Sequence, residues 1–196
     1  AYVAADTNGL KIIDVSNPSA PALTGTLGTS GQALDVTLSP DGSRAYVADE
    51  RDGLQIIDVS NPSAPTLLGT IDWGRVNGVA LSDDGDTAYV AADTNGLKII
   101  DVSNPSAPIL KGTLDTNGVA SDVTLSSDGD TAYVADFTSG LQVIDLAKEF
   151  SVATDTVSLT VIPANDAGTF SGDTSGSGAE DSSLTGTLTF TDTIDG

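Results

Sequence analysis

The stretch AYVAADTNGLKIIDVSNPSAP occupies residues 1 to 21 and returns letter for letter as residues 88 to 108. Its 87-residue offset is twice a shorter period: Ala-Tyr-Val recurs at Ala1, Ala45, Ala88 and Ala132, in steps of 44, 43 and 44 residues. Apolar passages ending in Asp follow in register, LKIID at 10–14, LQIID at 54–58, LKIID at 97–101 and LQVID at 141–145. Ahead of each later Ala-Tyr-Val stands a third block: DVTLSPDG from Asp35, GVALSDDG from Gly78 and DVTLSSDG from Asp122. A fourth, PALTGTL, PTLLGTI or PILKGTL, overlaps the end of the SNPSAP connector in the first three copies. Four short strands every 43 to 44 residues is the period of one β-propeller blade. The duplicated passage then reads as the outer three strands of a blade, used twice.

Turn chemistry supports the count. Asp41-Gly42, Asp84-Gly85 and Asp128-Gly129 fall between first and second strands, where Asp-Gly supplies the positive φ of a tight hairpin. ADTNG, ADERDG, AADTNG and ADFTSG join second strands to third. The proline of SNPSAP has no N–H to give a neighbouring strand and forces a longer crossing to the fourth. A twisted four-stranded sheet built this way is apolar on both faces, so it has to stack on copies of itself. Identity that extends to positions expected at the surface, Lys11 and Lys98, points to duplication of a two-blade unit.

Composition narrows the chemistry. Twenty-eight Asp and Glu against seven Lys and Arg leave a net charge of -21, which excludes the basic footprint of a nucleic-acid partner. All the acids but Glu50, Glu149 and Glu180 are Asp, a residue of turns and caps rather than helices. With no Cys and no His there is no disulfide, thiolate or imidazole chemistry, and oxygen ligands leave calcium as the favoured metal. No run of 18 apolar residues is present, so no membrane insertion is expected in this segment.

The pattern AYVA…GLxIIDVSNPSAP resembles the LVIVD repeat, a propeller blade of secreted and surface proteins of bacteria and archaea, over residues 1 to about 146. The resemblance implies an all-β chain with about three and a half four-stranded antiparallel blades in an incomplete ring. Blade 1 lacks its inner strand, and blade 4 has no clear connector or fourth strand. Residues 147–163 read as a connecting segment in which DTVSLTVIP alternates like a strand, a candidate fourth strand for blade 4. From residue 164 the order ANDAGTFSGDTSGSGAED…LTGTLTFTD is similar to the opening of a VCBS repeat, a cadherin-like sandwich of calcium-dependent bacterial adhesins. That resemblance implies a truncated β-sandwich tail over 164–196, with Asn165, Asp166, Glu180, Asp181 and Asp192 as calcium ligands.

Within the blades, Asp35 and Asp122 begin inner strands beside the central channel, where propellers bind ligands, and Gly78 interrupts the series. Both are also placed to accept hydrogen bonds from loop N–H groups. Asp6, Asp49, Asp93 and Asp136 open the second-to-third loops and read as solvated Asx-turns, with the DERD cluster of Asp49, Glu50 and Asp52 a weaker candidate for calcium. Asp83, Asp84 and Asp86 crowd one turn that its PDGS counterpart forms with a single carboxylate. Asp14, Asp58, Asp101 and Asp145 cap strand ends or anchor the DVSNP turn. The connection IDWGRVN (71–77) carries the sole Trp: Trp73 and Arg75 form an aromatic plate and guanidinium suited to a sugar or acidic ligand, or Trp73 fills a gap left by a shortened loop.

These features point to a non-enzymatic piece of a secreted or cell-surface bacterial protein. Its propeller would recognise extracellular polysaccharide or surface proteins, and would continue into further blades and sandwich repeats of the same chain. An enzyme, a polysaccharide lyase or lactonase-like hydrolase, would need carboxylates converging on a metal at the channel mouth. A purely structural scaffold would need neither.

Overall fold

The computed structural model describes residues 1–149, 156–158 and 187–189. It divides into two compact units, Ala1–Phe150 and Ser151–Gly196. In the first unit the periodic blocks become antiparallel meanders in chain order. Blade 1 is β1 (Tyr2–Ala4), β2 (Leu10–Asp14) and β3 (Ala22–Leu27). Blade 2 is β4 (Ala33–Leu38), β5 (Arg44–Asp49), β6 (Gly53–Asp58) and β7 (Thr66–Ile71). Blade 3 is β8 (Gly78–Leu81), β9 (Thr87–Ala91), β10 (Leu97–Asp101) and β11 (Ile109–Leu114). Blade 4 is β12 (Ala120–Leu125), β13 (Thr131–Asp136) and β14 (Gly140–Asp145), followed by the single helical turn α1 (Leu146–Glu149).

The duplicated passage spans two strands and the connector rather than three strands, because the outer strand β3 starts at Ala22, one residue past it. The inner strands also begin earlier than Asp35 and Asp122 suggest: β4 starts at Ala33 and β12 at Ala120. A bulge follows each start, between Ala33 and Asp35 and between Ala120 and Asp122, and it moves the Asp to the second paired position.

The core lies between blades, and this is why the third strands read as strongly apolar passages. Along β5, Ala45 and Val47 join the cluster shared with blade 1, while Tyr46 and Ala48 join the one shared with blade 3. On β6, Ile57 goes to the first and Leu54 and Ile56 to the second. All seven side chains are at most 1 % exposed. A strand covered on both faces keeps period two in direction but loses it in polarity. Full burial of a residue such as Ile56 is worth about 1.5–3 kcal/mol. A third cluster, with Ala91, Leu97 and Ile99 facing Val123, Val134 and Ile144, joins blades 3 and 4.

Connector and outer strand are matched across blades. Each SNPSAP folds on its own Asn, whose carbonyl accepts from Ala20, Ala64 or Ala107. Its proline carbonyl then lies against the preceding blade: a Cβ on Gly25 would collide with the Pro62 oxygen, and one on Gly69 with the Pro105 oxygen. Both glycines sit at the same outer-strand bulge, which pairs Ile12 with Gly25 but Ile13 with Leu23, and Ile56 with Gly69 but Ile57 with Leu67. The Asp-Gly hairpins form as expected, with φ of 69°, 75° and 77° at Gly42, Gly85 and Gly129.

In the second unit, β15 (Thr156–Ser158) pairs antiparallel with β16 (Thr187–Thr189). The segment expected to connect thus supplies a strand to a residue run assigned to the sandwich. The proposed calcium ligands Asn165, Asp166, Glu180, Asp181 and Asp192 lie outside the described residues. Among the described residues no helix is long and apolar enough to cross a membrane.

Candidate functional site

One face of the blade array carries the second-to-third loops together with the connections that enter the inner strands. The loops alternate in type. In blades 1 and 3, Asp6 and Asp93 take positive φ (52° and 53°) and pair through their backbones with the inner strand of the next blade, at Ala33 and Ala120. In blades 2 and 4 the Asp comes one residue earlier in a segment of the same length, and the carboxylates of Asp49 and Asp136 turn inward on the connection entering their own blade. Asp49 accepts from Thr29 Oγ1 (3.0 Å) and Gly31 N (3.1 Å). Asp136 accepts from Val119 N (3.1 Å), Thr138 N (3.0 Å) and Ser139 N (2.9 Å). The 87-residue sequence period is therefore a physical alternation of two loop designs.

Asp49, Asp93 and Asp136 are 0 %, 8 % and 4 % exposed, which corrects their reading as solvated turns; Asp6 is exposed. Sequence proximity to Gly and Asn suggested a wet loop, but these loops fold down onto the next blade or its connection. Donor number separates the two inward carboxylates. Burial raises the Asp49 carboxyl above its ordinary range despite hydrogen bonds from Gly31 and Thr29. Burial also works to raise Asp136, but the neighbouring Thr116 hydroxyl and the hydrogen bonds from Ser139, Thr138 and Val119 outweigh it and hold its pKa at about 2.

The irregular connection 72–77 supplies the remaining features. Arg75 lies between two buried acids from successive blades, with Nη2 2.9 Å from Glu50 Oε1 and Nη1 3.6 Å from Asp93 Oδ2. Glu50 is 9 % exposed, and its Oε2 is buried with no hydrogen-bond donor, with Arg51 Nε 3.6 Å away. Trp73 packs on the cluster between blades 2 and 3, and Lys98 Nζ stands 5.4 Å from its ring centroid. Lys98 is 9 % exposed, a correction to its reading as a surface position, and burial lowers its pKa. Its twin Lys11 is more open and has no indole over it, so a single loop gives identical letters two environments.

Asp35 and Asp122 act on backbone. Asp35 Oδ2 accepts from Val79 N (2.9 Å) on the inner strand of blade 3, tying blades 2 and 3 at the channel. Asp122 Oδ1 accepts from Val123 N (2.8 Å) and lies close enough to Gly78 that a Cβ there would sit 2.7 Å from it. Gly78 thus interrupts the carboxylate series and makes room for its neighbour. Trp73 and Arg75 share the loop between blades 2 and 3. Sequence reasoning missed Asn77, whose Nδ2 donates to Ala120 O (2.9 Å) and bridges blades 3 and 4.

The turn acids are bound locally. Asp84 accepts from Ser82 Oγ (2.5 Å) and Asp86 N (3.0 Å). Asp14, Asp58 and Asp101 accept from the backbone of Ser16, Ser60 and Ser103, as expected of caps on the DVSNP turn. No group of three acids suited to a metal occurs among the described residues.

Four blades with matching loops and connectors coincide with four sequence matches, at residues 1–29, 30–72, 74–116 and 117–149, to the LVIVD repeat. The chain belongs to the LVIVD repeat family. None of the curated proteins searched matches it. Solved structures that resemble the LVIVD blades include a functionally unknown protein from Desulfotomaculum acetoxidans, at 18 % identity and a TM-score of 0.64 over 73 % of this chain and 49 % of that one. A candidate 6-phosphogluconolactonase from Bacteroides uniformis matches at 19 % identity and 0.61, over 72 % and 44 %. The β-propeller domain of Cps50 (Swd1) from Myceliophteria thermophila matches at 14 % and 0.59, over 75 % and 54 %. The LVIVD chain spans about half the length of these structures, and the likeness is one of propeller fold.

Proposed function

We propose that the LVIVD blades form a non-enzymatic recognition module of the cell exterior that binds neutral, hydroxyl-rich polysaccharide at the connection between blades 2 and 3. The carrying observation is that connection itself. It presents the sole Trp beside a guanidinium whose side chain is 54 % exposed and is held by Glu50 and Asp93. An indole face takes the C–H face of a sugar ring, and carboxylate oxygens accept its hydroxyls. Glu50 Oε2 lacks a donor but is buried, so the half-exposed guanidinium of Arg75 is the polar group that a sugar hydroxyl reaches first. The net charge of -21 favours a neutral polymer over an acidic one. Asp35, Asp49, Asp122 and Asp136 of this face are engaged by backbone donors, which supports binding rather than acid–base turnover.

The test is titration of the chain with neutral glucans and with uronic-acid polymers, followed by Trp73 fluorescence. Neutral polymer should shift the emission with little dependence on salt, and Trp73→Ala and Arg75→Gln should abolish retention on an immobilised polymer. Absence of any shift or retention across both classes overturns the proposal. Extracellular placement belongs to the same reading, as does calcium bound by Asn165, Asp166, Glu180, Asp181 and Asp192. Millimolar calcium should raise the thermal midpoint of the full chain. An unchanged midpoint removes calcium from the proposal and leaves the polysaccharide reading standing.

A further inference from the structure

Asn-Gly occurs four times in the chain, at Asn8-Gly9, Asn77-Gly78, Asn95-Gly96 and Asn117-Gly118. The dipeptide carries a reaction of its own. Glycine has no side chain to shield its amide nitrogen or to restrict the peptide, so that nitrogen can reach the carbonyl of the Asn side chain before it. By sequence the four sites are close to equivalent: Asn8, Asn95 and Asn117 all follow Thr, and each glycine is followed by Leu or Val. Any difference between them in the folded protein is therefore imposed by tertiary contacts.

The fold restrains three of them. Gly9 N donates to Asp6 O (3.0 Å) and Gly96 N to Asp93 O (3.3 Å), so in both loops the attacking nitrogen is held inside a turn, and both glycines are buried. Asn77 is restrained through its side chain, whose Nδ2 donates to Ala120 O (2.9 Å), and Gly78 is already the first residue of β8. Asn117 differs. It is exposed, it stands in the left-handed region at φ 60°, and among the described residues neither its side chain nor Gly118 N has a hydrogen-bond partner. The amides on either side are engaged, Asn117 N by Asp115 Oδ1 (2.8 Å) and Val119 N by Asp136 Oδ1 (3.1 Å). Ser139 Oγ donates to Asn117 O (3.2 Å), which draws electron density from that peptide and makes its N–H more acidic. The exposure belongs to the connection itself. Ser30 holds the same place 87 residues earlier and is exposed as well, although blades stand on both sides of blade 2.

We propose that Asn117 is a site of spontaneous covalent modification in the folded chain. Gly118 N gives its proton to hydroxide and bonds to Asn117 Cγ, the bond from Cγ to the amide nitrogen breaks, and ammonia leaves. The cyclic imide then takes up water at one of its two carbonyls. Opening at one restores an ordinary peptide with Asp in place of Asn117; opening at the other leaves the main chain running through Cβ and Cγ, a β-linked Asp. Ammonia is lost and water gained, with no oxidation or reduction. Either product adds a negative charge at the entrance to blade 4. The β-linked product also lengthens the backbone next to Val119 N, one of the donors that hold the Asp136 carboxylate.

The full chain, folded or unfolded in guanidinium chloride, is held in warm, mildly alkaline buffer and digested with trypsin at intervals. Tandem mass spectrometry then follows, site by site, the replacement of the side-chain NH2 by OH, and a methyltransferase selective for β-linked Asp separates the two products. In the unfolded chain the Asn-Gly sites should convert at similar rates. In the folded chain Asn117 should keep close to its unfolded rate, while Asn8, Asn77 and Asn95 are each slowed about tenfold or more, because they react only after a local opening. Asn117→Gly retains the left-handed backbone and should remove the fast conversion, leaving the other sites as they were. A folded chain in which Asn8 or Asn95 converts as fast as Asn117 overturns the proposal. So does an Asn117 that converts only after unfolding, and so does a fast conversion that survives in Asn117→Gly.

Discussion

Val15 and Val102 lie at the same position of a 21-residue stretch spelled identically in blades 1 and 3, yet the first is 46 % exposed and the second fully buried. Replacing each by Ala isolates what stacking contributes. Strand propensity and local denatured-state structure are the same for both sites, so those contributions cancel in the comparison. At Val102 the change removes two carbons from the cluster between blades 2 and 3; at about 0.8 kcal/mol each, with a cavity added, the cost is about 2–3 kcal/mol. At Val15 about half of the side chain already meets water and the vacated space opens to solvent, so the cost stays under about 1 kcal/mol. Urea unfolding in dilute solution, followed by circular dichroism, reads both. For a chain of this size the Val102→Ala difference corresponds to a fall of about 4–12 °C in thermal midpoint. Equal costs at the two sites, or a larger one at Val15, would refute the stacking described here.

Three further outcomes follow from particular contacts. Arg75→Ala leaves Glu50 and Asp93 buried without their shared cation and should cost about 1–3 kcal/mol by urea unfolding, whereas Arg51→Ala, at a 72 % exposed side chain, should cost about 0–1 kcal/mol. Asp136 has its folded pKa held down at about 2, below the unfolded value near 3.9, so its contribution is present above about pH 4 and is lost as pH falls toward 2. The urea midpoint of Asp136→Asn should therefore lie below wild type at neutral pH and converge with it through that window; a gap constant with pH contradicts the assignment. Gly69→Ala drives a Cβ into the Pro105 carbonyl and should cost about 1–3 kcal/mol, while Gly28→Ala, with open space around it, should stay within about 0.5 kcal/mol by the same unfolding assay.

The repeat, read by itself, determined a good deal. Strand number, strand order and the Asp-Gly hairpins follow from backbone rules that act within a few residues, and these are written in each copy. The Asp caps of the DVSNP turn are equally local, since Asp58 reaches Ser60 two residues on. Even the need to stack was legible, because LQIID leaves a strand no polar face. The connector's partner was not: Gly69 is small because Pro105 of the following blade lies over it, a contact across 36 residues.

Tertiary structure alone decided which copy of a shared passage is core and which is surface. Lys11 and Lys98 have the same neighbours in sequence, but only Lys98 lies under Trp73. Asp35 reads as a channel carboxylate until its oxygen is found on Val79 N, 44 residues away in the next blade. Periodicity reports how a strand alternates and where it turns. Burial and hydrogen-bond partnership depend on which blade arrives against it, and Val15 and Val102 have identical letters on either side and different neighbours in space.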